Sequence, residues 1–173
     1  MANHDIAELQ RVFLTRLDAL DHILDVGQKH LPDFDATLQE RLAPDMFPLG
    51  GQIALACNQP RGFAQWCVGQ PIENLKPDIA TLAQAREAIE QAKRMVSAIG
   101  VDDAKLDETK RIGLGPGRYC ELPARQYVSE YLLPNLYFHI TTAYAILRKL
   151  GVPVGKADFM AFMAPYVRQD QVA

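Results

Sequence analysis

From Tyr131 to Leu147 the chain reads YLLPNLYFHITTAYAIL, and none of these residues is charged. A run with so little polar surface must be covered on more than one side, by lipid, by the rest of the fold or by a partner chain. A membrane-spanning helix needs about 20 predominantly apolar residues. This run is shorter, and Pro134, Asn135, His139 and two threonines interrupt it. It therefore belongs in a protein interior, as part of a long helix from about Ala124 to Leu150, with a break expected at Pro134 and an end at Gly151. Its single histidine, His139, poses the functional question: metal ligand, catalytic base or hydrogen-bonded core residue.

Three further helices are legible. Asn3 or Asp5 starts the first, Asp5 with Glu8 three residues on making a capping box, and Ile6, Leu9, Phe13, Leu17, Leu20 and Leu24 form its apolar stripe. Gly27 is expected to end it. A short helix capped by Asp35 runs through ATLQERL. The second long helix starts at Pro44 or Pro48 and passes through Pro60, which should kink it. Asp78 is the expected N-cap of the third, with Gly100 as its terminal glycine. Its charged residues pair at four-residue spacing, Arg86 with Glu90 and Glu90 with Arg94, on a solvated face. Between Val101 and Leu122 the helical period disappears, and RIGLGPGRYCEL alternates about Pro116-Gly117, the centre of a type II turn, so a short hairpin or ordered loop is expected. No GK[ST] follows these glycines, so they do not read as a phosphate cradle. GKADFMAFMAPY supplies a last short turn of helix.

The chain has 173 residues and a formal net charge of −3. That length suits one domain over 1–173, and the absence of a basic block leaves nucleic acid no electrostatic footprint. Cys57, Cys67 and Cys120 are odd in number, widely spaced and free of any CxxC pattern, so they read as buried thiols of a reducing, cytoplasmic protein. MANHDIAELQRVF has charges where a leader peptide needs an apolar core. His22, with Asp18, Asp21 and Asp25, reads as a solvated polar face. His4 and His30 lie at element ends.

The segments RLAPDMFPLGGQIALAC and LPNLYFHITTAYAILRKLGVPVGKADFM closely resemble a bacterial family described only as a domain of unknown function, within the DinB/YfiT-like superfamily. The resemblance covers nearly the whole chain. It implies an all-α fold, an antiparallel four-helix bundle with a short hairpin or loop inserted before the fourth long helix, and a homodimer. The uncharged second and fourth helices, Met46 to Pro60 and Tyr131 to Leu147, suggest the same dimer. Members of the superfamily typically hold a divalent metal through three histidines, one on the second helix and two four residues apart on the fourth, and some use it to activate a thiol for transfer. Here His139 matches one of them. Asn135 stands where its partner should be, and Gln52 stands in the place of the second-helix histidine. Carboxamide oxygens are weak ligands for zinc or nickel.

His139 then has three readings. It is a core residue bonded to a backbone carbonyl or to Asn135; or it lines, with Gln52 and Asn135, a polar pocket for a small molecule; or it is the sole imidazole of a residual metal or acid–base site helped by Tyr119, Glu121, Asp45 or Cys57. Tyr137, Phe138 and Tyr144 read as core aromatics. The leading expectation is a small-molecule-binding or structural homodimer with a degenerate metal site, no cofactor, no nucleic-acid partner and no membrane association. Its alternative is a metal-dependent thiol transferase or hydrolase with altered zinc or nickel ligands.

Overall fold

The stripe from Ile6 to Leu24 becomes the buried face of α1 (Ile6–His30), in a computed structural model that describes residues 5–169. Asp5 caps α1 by accepting from the Glu8 amide. Gly27 does not end the helix. It lies inside it, where an added Cβ would come within 2.6 Å of the Phe34 ring, so the glycine admits a close neighbour rather than stopping the chain. The short α2 (Phe34–Thr37) is capped by Asp33, not Asp35. Asp35 instead accepts from the Leu82 amide, 47 residues on, at the start of another helix.

The second long helix, α3 (Leu49–Cys67), begins after Pro48 and continues through Pro60. The third, α4 (Leu82–Ser97), starts later than Asp78 predicts: Thr81 and Gln84 form a reciprocal capping box, which satisfies two otherwise orphaned groups at once. Gly100 is not among the glycines with positive φ, and the α4 terminus is served by Gln10, whose amide donates to the Val96 and Ile99 carbonyls. The charges of α4 work across helices. Arg86 reaches Asp25 of α1, Lys93 bonds Asp18 of α1 as well as Glu90, and Arg94 meets Glu87. The predicted Arg86–Glu90 pair gives way because Asp25 of α1 lies opposite, and the Glu90–Arg94 pair gives way to Glu90–Lys93 and Glu87–Arg94 within α4 itself.

Two strands, β1 (Thr109–Gly113) and β2 (Tyr119–Pro123), pair antiparallel and qualify the all-α expectation. Gly117 has φ +68°, and the Arg118 amide donates to the Gly115 carbonyl, the type II geometry in which only glycine is unstrained at the third position. The chain then enters α5 (Ala124–Gln126), a π-helical turn from Tyr127 to Leu132, and α6 (Leu133–Lys149). Pro134 produces a change of pitch, not a break. A last helix, α7 (Lys156–Phe159), leads into a 3₁₀ segment, Ala161–Tyr166.

The four long helices pack α3 against α4 and α6, and α1 against the same two. One apolar cluster draws on all of them. Most of α3 is buried, because the segment between α3 and α4 folds back over it: Asn58 exchanges two hydrogen bonds with the Leu75 backbone, and Gln65 accepts from the Glu73 amide. No described helix is long and apolar enough to cross a membrane.

Candidate functional site

The π-helical turn sets up the site. In an α-helix a four-residue step overshoots one full turn by about 40°, so residues spaced by four drift round the surface. A π turn, here marked by the Leu133 amide donating to the Val128 carbonyl, holds more residues per turn and corrects that drift. Tyr127, Tyr131, Asn135 and His139 consequently line one wall of the same cavity. Tyr127 and Tyr131 stack with ring centroids 5.6 Å apart. The opposite walls come from Leu55, Asn58, Gln59 and Gly62 of α3, and the rim from Ile72 and Asn74 and from Lys110 to Gly113 of β1. The cavity measures about 490 Å³.

His139 is half-buried, and its Nδ1 lies 2.8 Å from Gln52 Oε1. The Gln52 side chain is almost wholly buried, and its Nε2 donates to the Phe47 carbonyl. With its NH₂ group committed there, Gln52 can only accept from the imidazole. Nδ1 must therefore carry the proton, which leaves Nε2 as an open acceptor in the neutral ring. Burial lowers the His139 pKa below its ordinary value and favours that neutral form. Gln52 does not line the cavity while His139 does. No partner for Nε2 is found among the described residues.

The sequence trio is thus brought together only in part. Gln52 and His139 are bonded, whereas the expected acceptors, a backbone carbonyl or Asn135, are not used. Asn135 shares the cavity wall with His139, but its Nδ2 donates to the Tyr131 carbonyl. The proposed helpers stand apart. Asp45, Tyr119 and Glu121 are exposed and do not line the cavity, and Cys57 is fully buried with its thiol pushed up to about 12 by desolvation. A Cys57–His139 nucleophile pair is therefore set aside. His22 is not merely solvated: its Nε2 meets Asp158 of α7 at 2.8 Å. His30 is exposed at the end of α1, and His4 lies outside the described residues. Phe138 and Tyr137 are 55% and 38% exposed, against the core reading, while Tyr144 packs on Phe159.

Sequence reasoning missed Lys110 and Arg111. A signal existed in TKRIG, since a period of two puts Lys110 on the same face as Ile112, and Lys110 is 6% exposed.

The residues present do not fit the metal site that the resemblance implies. Gln52 spends its oxygen on His139 and its nitrogen on Phe47, Asn135 can offer only a carboxamide oxygen, a weak ligand for zinc or nickel, and one imidazole remains. Among the described residues no group of three or more His, Cys, Asp or Glu side chains could hold a metal ion.

Residues 8–160 match the model of a family described as a domain of unknown function, DUF1993. The chain is also similar to a DinB family member protein from Shewanella denitrificans, known from its crystal structure: 33% identity, a TM-score of 0.74, and coverage of 87% of this chain and 88% of that one. No curated protein matches.

Proposed function

The chain belongs to the DUF1993 family of DinB-like proteins, and from that membership we propose that it binds a small molecule without a metal, in the cavity that His139 lines. The four long helices act as an antiparallel four-helix bundle that holds the cavity walls rigid, and the superfamily's three-histidine centre is degenerate. The observation that carries this reading is the Gln52–His139 bond. It occupies the position of two would-be ligands with a fixed hydrogen bond, and it leaves the neutral Nε2 of a cavity-lining residue as an acceptor. Such a group recognises a hydroxyl or amino donor on a ligand. The protein acts as a homodimer in the cytoplasm, where its three free cysteines remain reduced.

Elemental analysis after equilibration with zinc, nickel and manganese, beside a thermal-shift screen of small polar compounds, tests the reading. Wild type should retain no stoichiometric metal and should be stabilised by compounds that leave His139→Ala unaffected. Stoichiometric metal lost in His139→Ala would overturn it.

A further inference from the structure

Lys110 sits on the inward face of β1, opposite Leu122 in register and on the same face as Ile112. It is 6% exposed, yet no ion pair or hydrogen bond to its ammonium is found among the described residues. Two ring faces lie near it: Nζ is 5.3 Å from the Trp66 ring centre and 5.8 Å from that of Tyr127. Lys105 approaches Trp66 as well, at 4.7 Å, but it is neutralised by Glu108 at 2.8 Å. Desolvation lowers the Lys110 pKa, and Lys105 pushes in the same direction. A cation set among largely apolar groups without an anion is costly, and the attraction of ring faces offsets only part of that cost.

The cavity that Lys110 lines contains no carboxylate among its walls. The whole chain is acidic, at −3, so this local positive character is not a consequence of bulk composition. We propose that the Lys110 end of the cavity takes the carboxylate of a small organic monocarboxylate. One ammonium balances one negative charge, which favours a monocarboxylate over a phosphate. The assignment rests on the binding function proposed above and gives it a ligand class.

Trp66 is the single tryptophan of the chain, so its emission reports on the ammonium groups of Lys105 and Lys110 over its ring, and the Lys110 variants isolate the second. Full-length protein is titrated with lactate and β-hydroxybutyrate, with the neutral amide of each, and with inorganic phosphate, all at matched ionic strength. At least one acid should change the emission saturably and bind at least about tenfold more tightly than its amide or phosphate. Lys110→Met, which keeps the stem and removes the charge, should lose that preference, while Lys110→Arg keeps it. Circular dichroism of each variant establishes that it is folded. Acids and amides binding alike, with His139→Gln abolishing both, would overturn the charge assignment and leave the binding function standing. Phosphate binding as well as the acids would overturn the monocarboxylate class. No Lys110-dependent or His139-dependent response to any probe would overturn both readings.

Discussion

A primary amide has one acceptor and one donor end, so a glutamine whose NH₂ is committed can offer only its oxygen. Gln52 is in that position, and the proton location on His139 follows from it. Gln52→Leu removes the acceptor for Nδ1 and the donor for the Phe47 carbonyl, and should cost about 2 kcal/mol in chemical denaturation. The protonation equilibrium supplies a second prediction. Burial holds the folded-state pKa of His139 below the ordinary 6.5. Between those two values the unfolded chain binds a proton that the folded chain does not. This group's contribution to stability is therefore fully present above pH 6.5 and declines as the pH falls through that window. Urea midpoints taken above and below 6.5 should fall further on acidification for wild type than for His139→Gln.

Between elements, close approaches fix the walls of the cavity. A Cβ at Gly50, in the first turn of α3, would lie 2.0 Å from the Ile79 carbonyl oxygen, which is backbone and cannot swing aside. Gly50→Ala should lower stability by about 1–3 kcal/mol and loosen the segment that roofs α3. Its effect is read by thermal unfolding and by amide exchange in that segment. At the other end, α7 is pinned to α1 through Asp158, whose carboxyl is held below the usual 3.8 first by the Gly155 amide and then by His22. A depressed carboxylate stabilises above its unfolded value, and its contribution is lost as the pH falls through the lowered one. Asp158→Asn should speed amide exchange in α7 at neutral pH while leaving α3 and α6 protected. The helices were legible because their apolar positions repeat with the helical period, and the Pro116-Gly117 turn because its chemistry is local. Cap assignments failed at Asp35 and Asp78, where tertiary partners displaced the local choice: Asp35 serves Leu82, and Thr81 pairs with Gln84. The π turn left no mark except Pro134, and the inward aim of Lys110 needed a strand register that the sequence only hinted at.

For the molecule as a whole, the cover over α3 bears on assembly. Its uncharged surface is buried by the chain's own inter-helix segment, which removes half of the sequence argument for a dimer. The remaining half lies on α6, where Phe138 stays 55% exposed beside His139, their rings edge to face at 5.3 Å. If the proposed homodimer uses this face, Phe138→Asp should convert dimer to monomer in light scattering while the helical content is retained. The candidate site was legible in its members, Gln52, Asn135 and His139, but not in its wiring, because spacing cannot say which amide a ring nitrogen meets. That wiring separates a binding cavity from a metal centre. Nitrogen-15 resonances of the His139 ring, assigned by comparison with His139→Gln, test it most directly. The account predicts a neutral ring protonated at Nδ1, with an Nε2 signal that stoichiometric zinc or nickel leaves unmoved. An Nε2 signal that shifts to saturation with one equivalent of either metal would contradict it.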